Sequence, residues 1–327
     1  MKAWVLRRYG SPDVLDLTDL DRPAPGPGEV LVQVKAASVQ PWDWHLMRGE
    51  PLMARLVGPL GLRRPHLGVL GADVSGVVVA AGEGVTEFAP GDEVWSMPEG
   101  GGFAEYVTIP ADKVARKPHH LSFAEAAAVP LAAMTALLAI RDHAKVRPGH
   151  RMLVNGASGG VGTFAVQLAK AYGAHVTAVC GGRNADLMRT LGADEVIDYA
   201  KEDFTRGGRP YDSLLYIAGN RKFRECRRVL RPKGVCVLIG GSPGRWVQPM
   251  GQLIGTAAAS TFVSQRAVVA NVVGCPEIRR NLDELAGLME DGKVRSVIDS
   301  TYAFGELRAA MRYQEEGHAT GKVVLTV

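Results

Sequence analysis

The chain has 327 residues, 46% hydrophobic and 22% charged, with a formal net charge of +4; the length calls for two domains, and ordinary composition excludes long disorder. Its basic residues are scattered, the clusters Arg63-Arg64 and Arg221 to Arg231 reading as solvated faces, so no nucleic acid is expected as partner. No apolar run approaches the roughly 20 residues of a membrane span, and Cys180, Cys226, Cys236 and Cys275 form no CxxC pair, which together predict a cytoplasmic protein with neither membrane nor export segment.

In chain order, the first part reads as short strands and turns. LVQVKAASV (Leu31 to Val39), VSGVVVAAG (Val74 to Gly82) and FAEYVTIP (Phe103 to Pro110) are separated by Gly and Pro clusters, a pattern that predicts a small barrel-like domain. At Ser122 the texture changes to SFAEAAAVPLAAMTALLAI, an N-capped helical run broken at Pro130. From Arg151 strands (MLVNG, HVTAVC, EVID) alternate with helices over Val161 to Tyr172 and Ala185 to Leu191, and YDSLLYIAG, VCVLIGG and VVANVV (Val268 to Val273) continue the series. This is the βαβαβ order of a doubly wound, Rossmann-type parallel sheet in an α/β protein. The tail predicts a capped helix from Pro276 to Glu290, a short strand near Val294, a helix from Phe304 to Glu315 and a closing strand KVVLTV that rejoins the first domain.

The sharpest local signal is VNGASGGVG, Val154 to Gly162, between a buried strand and an amphipathic helix. Glycines there let a phosphate approach the backbone, and the amides and dipole of the next helix attract its charge. Gly156, Ser158, Gly159, Gly160 and Val161 are thus candidate contacts of a dinucleotide. At the end of the second strand the segment VCGGRN carries no carboxylate for a ribose 2′-hydroxyl, whereas Arg183 offers a planar fork to a 2′-phosphate, which points to NADPH, with a solvated surface arginine as the competing reading. Tyr199 is a second candidate there, with a core tyrosine as its competing reading. Ligands sit at the carboxyl ends of parallel strands, so Ala218, Ile239 and Gly240 are expected on the nicotinamide side.

MKAWVLRRYGSPDVL, SVQPWDWHLMRGE, LGADVSGVVVAAGEGVTEFAPGDEV, the glycine motif, TLGADEVIDY and GHATGKVVLTV follow one another in an order that resembles the medium-chain dehydrogenase/reductase superfamily, and within it the zinc-independent quinone oxidoreductase group. The resemblance spans essentially the whole chain. It implies a GroES-like β-rich catalytic domain from residues 1–122 and 274–327, a Rossmann dinucleotide-binding domain over 123–273, and a homodimer. Thr135 resembles the position that helps hold the nicotinamide, a threonine bonding its own helix being the rival reading.

The zinc enzymes of that superfamily use an early cysteine and a GHExxG histidine. Here the segment is Gly71-Ala72-Asp73-Val74-Ser75-Gly76, and no cysteine precedes Cys180, so no metal is expected. Without a Lewis acid the substrate must already be electrophilic: a small quinone or α,β-unsaturated carbonyl. The resemblance places Gln40-Pro41-Trp42-Asp43-Trp44-His45 at the mouth of the cleft, with Gln40 a donor to the acceptor oxygen and Asp43 or His45 a proton source. A helix cap for Asp43 and a loop role for His45 compete with that assignment. Trp42, Trp44, Leu46, Met47 and Trp246 are available as apolar walls or as core. The competing functional readings are a metal-free NADP-dependent alcohol or aldehyde dehydrogenase and a catalytically weak, crystallin-like NADPH-binding protein.

Overall fold

In the computed structural model, which describes residues 1–52, 55, 60–66, 68–208, 210–219, 221–240, 263–270, 272 and 274–327, β1 (Lys2–Leu6) and β2 (Leu15–Asp19) pair as an antiparallel ribbon. Next come β3 (Glu29–Val39), β4 (Asp73–Ala81), β5 (Glu93–Ser96), β6 (Tyr106–Pro110) and β7 (Val114–Arg116). Ser122 then caps a short helix, Phe123–Ala127, its hydroxyl accepting from Glu125 N at 3.2 Å, and Pro130 opens the next helix, Pro130–Leu138, because proline fits a first turn where no N–H is needed.

The strands β8 (Arg151–Asn155), β9 (His175–Cys180), β10 (Glu195–Asp198), β11 (Tyr211–Tyr216), β12 (Leu230–Leu238) and β13 (Arg266–Val269) follow, and β14 (Ile298–Ala303) and β15 (Lys322–Thr326) end the chain. Contacts divide the chain into two units: Met1–Leu131 with Cys275–Gly292 and Ser296–Val327, and Ala132–Gly274 with Lys293–Arg295.

The first unit holds a sheet in the order β14-β15-β3-β4-β5-β7, with β6 also paired to β3. Its core gathers Trp4, Val32, Val78, Phe103, Ile109, Met311 and Leu325 among others, and Leu46 and Met47 are part of it, with Trp42 and Trp44 packed alongside. The helix Phe123–Ala127, which the resemblance places in the nucleotide domain, packs here instead, against β3, β4 and β15. Ala127 and Ala128 give that helix a flat apolar face matching Ala36 and Val324.

Among the described residues the second unit contains six parallel strands in the order β10-β9-β8-β11-β12-β13. Apolar runs such as MLV in β8 and TAVC in β9 are buried along their length, as a sheet covered on both faces requires. Strand order reverses between β8 and β11, which makes their carboxyl ends the switch point of a Rossmann sheet.

Some expectations shift. Val294 is buried but lies in no strand, and the helix expected from Pro276 runs Ile278–Glu290, with Glu277 at its N-cap making no side-chain capping bond and accepting instead from Arg280 at 2.9 Å. The helix expected from Phe304 begins as a 3-10 turn, Phe304–Glu306, before Leu307–Glu315. The last strand of the nucleotide sheet spans Arg266–Val269, not Val268 to Val273; residues 271 and 273 lie outside the described ones, as does Trp246.

Candidate active site

The glycine turn is built by close backbone contacts. Gly156 has φ +83°, and a Cβ on it would stand 2.9 Å from that of Ala218. Its N–H and that of Ala157 donate to Val179 O at 3.2 and 3.1 Å, so the turn is tied to β9. Asn155 Nδ2 donates to Ala218 O, fastening the carboxyl ends of β8 and β11. A Cβ on Gly162 would lie 2.2 Å from Gly156 O, which is how closely the helix Gly160–Ala171 seats on the turn.

Gly159 caps that helix, its carbonyl accepting from Thr163 N at 3.0 Å, and the amides of Gly160, Val161 and Gly162 have no acceptor within the helix. Among the described residues a Cβ on Gly159 would meet only Gly156 O, at 3.7 Å, which leaves space beside the first-turn amides. Half-buried Ser158 sits in the same turn. Free amides, a helix dipole and a glycine-sized opening are what a pyrophosphate requires, so these residues fit a dinucleotide.

At the ends of β9 and β10, Tyr199 N donates to Cys180 O at 3.2 Å, and the Tyr199 side chain is 67% exposed. A Cβ on Gly181 would approach Tyr199 Oη to 3.2 Å, so the ring lies against the Gly181 backbone, two residues from the exposed Arg183. Register across β9 and β10 thus brings together two residues that are distant in sequence. It also brings Asp198, which sequence reasoning missed: its Oδ2 would stand 2.6 Å from a Cβ on Gly182, while Oδ1 accepts from Ala200 N at 3.0 Å. Ile239 N donates to Tyr216 O at 3.0 Å, and Gly240 approaches Ile217 O so closely that a Cβ would stand 2.5 Å away; Ala218, Ile239 and Gly240 therefore share the ends of β11 and β12. Thr135 is buried within the helix Pro130–Leu138.

In the first unit the candidate polar residues belong to a buried network. Asp43 and Asp73 are fully buried, and Gln40 and Lys322 each keep only 3% of their surface. Lys322 Nζ donates to Gln40 Oε1 at 2.8 Å and stands 3.6 Å from Asp73 Oδ2. That same Asp73 oxygen accepts from Ser38 Oγ at 2.7 Å, and Asp73 Oδ1 accepts from Leu131 N at 2.8 Å. Burial pushes the Asp73 carboxyl up, opposed chiefly by Lys322; burial pushes the Lys322 ammonium down, opposed by Asp73 and Asp43. Ser38 and Lys322 had not been singled out, although a lysine opening an otherwise apolar closing strand was a visible irregularity.

Asp43 is a cap. Its Oδ2 accepts from Gln40 N and its Oδ1 from Gly71 N, each at 3.1 Å, which holds the start of the helix Pro41–Arg48 onto the loop preceding β4. Burial, with Asp73 nearby, raises its pKa to about 7. The His45 ring stacks on Trp44, and its Nδ1 lies 3.1 Å from Glu50 O. A carbonyl only accepts, so Nδ1 carries the proton; burial holds the imidazole neutral, and Nε2 is then an acceptor.

A raised carboxyl pKa means that the folded state binds the Asp43 proton more tightly than the unfolded chain. Its ionisation therefore costs nothing below the ordinary value of 3.8, costs progressively more as pH rises from there, and reaches its full penalty above about 7. Comparing wild type with Asp43→Asn in denaturant at pH 5 and pH 8 should show the wild-type advantage shrinking by about 3 kcal/mol at the higher pH. A pH-independent difference would show that Asp43 is ionised throughout.

Among the described residues no three His, Cys, Asp or Glu side chains group so as to hold a metal ion, and no helix is long and apolar enough to cross a membrane. Residues 26–119 match the family described as alcohol dehydrogenase GroES-like domain, and residues 191–325 the one described as zinc-binding dehydrogenase. The chloroplastic quinone-oxidoreductase QR1 of Triphysaria versicolor is 36% identical over 93% of this chain and 91% of its own. The mitochondrial NAD(P)H oxidoreductase RTN4IP1 of Homo sapiens is 36% identical over 100% of this chain and 89% of its own. The solved quinone oxidoreductase from Coxiella burnetii superposes with a TM-score of 0.85 at 30% identity, covering 100% of this chain and 99% of that one.

Fold, glycine turn and relatives together define a class, the NAD(P)H-linked oxidoreductases that join a GroES-like domain to a Rossmann domain. The chain belongs to the medium-chain dehydrogenase/reductase superfamily, in its zinc-independent quinone oxidoreductase group.

Proposed function

We propose that the protein is an NADPH-dependent reductase of small quinones or α,β-unsaturated carbonyls that works without a catalytic metal. The observation that carries this reading is the switch-point turn with its open amides, joined by Arg183 and Tyr199 at the ends of β9 and β10. Arg183 and Tyr199 would hold the adenosine 2′-phosphate; Gly156, Ser158, Gly159, Gly160 and Val161 the pyrophosphate; and Thr135, Ala218, Ile239 and Gly240 the nicotinamide end. Bound there, the reduced coenzyme supplies a hydride, so that NADPH, a proton and a quinone give NADP⁺ and a hydroquinone.

The residues of the first unit then have one task, to favour negative charge on the acceptor oxygen as it forms. Gln40 suits it, because its Nε2 is buried and among the described residues meets no acceptor with hydrogen-bond geometry. Asp43 and His45 suit proton donation less well: both Asp43 oxygens are occupied by backbone amides, and neutral His45 has its only N–H turned to a carbonyl. The final proton is taken from solvent, which a hydroquinone anion or enolate accepts without an acid of its own. The same reading has the protein cytoplasmic and homodimeric.

The test is NADPH oxidation with para-benzoquinone, but-3-en-2-one and acetaldehyde, before and after dialysis against a chelator. Turnover is expected with the first two acceptors and not with acetaldehyde, and the chelator should leave it unchanged. Chelator-sensitive activity, or NADPH bound but oxidised by none of these acceptors, would refute the proposal.

A further inference from the structure

Strand register delivers three polar side chains to one buried point. β3 and β15 are antiparallel with Val39 opposite Val323 and Ser38 opposite Val324, so Gln40 and Lys322 occupy the next register position, just past the end of β3. β4 begins with Asp73 opposite Ser38 on the other side of β3. Gly321 makes the arrival of Lys322 possible: its φ is +87°, and a Cβ there would stand 2.2 Å from Val297 O, the carbonyl to which Lys322 N donates at 2.8 Å.

A carboxamide is nearly symmetric in shape, and which end faces a ligand is decided by its partners. An ammonium group has three donors and no acceptor, so the Gln40 atom 2.8 Å from Lys322 Nζ is the oxygen. The NH2 end is then the one left over. It lies near enough to Asp73 to favour that carboxylate's ionised form, yet among the described residues no acceptor meets it with hydrogen-bond geometry. A buried donor without a partner destabilises a fold, and so does a buried ammonium; stability alone gives the chain no reason to keep both in one place.

We propose that Lys322 is a positioning residue for Gln40: its ammonium, anchored by Asp73, holds the carboxamide oxygen inward and so reserves the NH2 group as hydrogen-bond donor to the reducible oxygen of the quinone or enone. The inference rests on the reading of Gln40 as that donor. It adds that orientation, and with it selection for an acceptor oxygen, is set from a strand at the opposite end of the chain. Asp73 acts one step further back, keeping the lysine charged and in place with the help of Ser38 and the Leu131 amide.

The test is a cycle read in steady-state reduction of para-benzoquinone by saturating NADPH. Removing one donor to a developing oxyanion lowers kcat by about 100- to 1,000-fold in preorganised sites, and for the neutral amide of Gln40→Leu the lower end, about 100-fold, is expected. The paired variant Asp73→Asn/Lys322→Met leaves no unpaired charge. It should lose most of the same factor in kcat, with the KM for NADPH unchanged, because without the ammonium the carboxamide turns its NH2 end inward to the side-chain oxygen of the new Asn at position 73.

Combining all three substitutions should lower kcat no further than Gln40→Leu does alone, within about twofold, since residues acting through one another are not additive. Lys322→Gln, a milder change should the pair fail to fold, can offer Gln40 either a donor or an acceptor, and an intermediate loss of about five- to tenfold is expected. Wild-type kcat in the paired variant or in Lys322→Gln, or losses that multiply in the triple variant, would overturn the role of Lys322. Wild-type kcat in Gln40→Leu would remove the donor itself and this proposal with it, leaving the NADPH assignment standing.

Discussion

Arg183→Ala is expected to erase the preference for NADPH over NADH while leaving kcat/KM for NADH unchanged. A hydrogen bond to a charged group contributes about 1.5 to 3 kcal/mol, or roughly 10- to 150-fold in kcat/KM. Arg183 is exposed at the end of β9, so solvent screening places the expected loss near the low end, about tenfold. The same screening gives a second signature: the preference of the wild type should shrink as salt rises towards values where the Debye length is a few ångströms. Asp198 sharpens the comparison, because its carboxylate lies against Gly182 and opposes a phosphate there. Parallel titrations of both coenzymes, at low and high salt, check this; an unchanged ratio in the variant would take Arg183 out of the 2′-phosphate site.

Two alanine substitutions three residues apart should behave in opposite ways. In Gly162→Ala the new methyl would be 2.2 Å from Gly156 O and 2.6 Å from the Ala157 carbonyl, all of them backbone atoms that cannot rotate aside. The helix Gly160–Ala171 must therefore back away from β8, at a cost of about 1 to 3 kcal/mol or more, and both the thermal midpoint and dinucleotide affinity fall. In Gly159→Ala the methyl meets, among the described residues, only Gly156 O at 3.7 Å, so the midpoint should stay within about 2 °C of wild type. Its methyl occupies the opening beside the first-turn amides, and the Kd for NADPH is expected to rise by at least tenfold. Scanning calorimetry with fluorescence titration separates the two. A Gly159→Ala protein that binds as tightly as wild type would mean that no phosphate rests on this turn.

The parts of the protein that were legible in its sequence are those whose physics is local. A strand, a glycine turn and an amphipathic helix within Arg151 to Ala171 announce themselves because each needs only its own neighbours, and β9 and β10 were read to the residue from HVTAVC and EVID. The proline at 130 stopped one helix and began another for reasons contained in the proline itself. Gln40 could be named as a candidate, and Asp43 could be weighed as acid or cap, from their place in one short segment.

What only the tertiary structure decided depends on which strands lie side by side. Lys322 meets Gln40 across 282 residues because β15 runs antiparallel to β3, and Asp73 joins them because β4 flanks β3 on its other edge. Asp198 and Tyr199 reach Gly181 and Gly182 through the pairing of β10 with β9, so a search of the residues following β9 could not find that carboxylate. Asp43 caps its own helix through Gln40 N, and its second oxygen is taken by the Gly71 amide arriving from a distant loop. Local sequence fixes the propensity of a segment and the chemistry of its side chains; burial, and with it charge state and available partners, is conferred by whatever the rest of the chain packs against them.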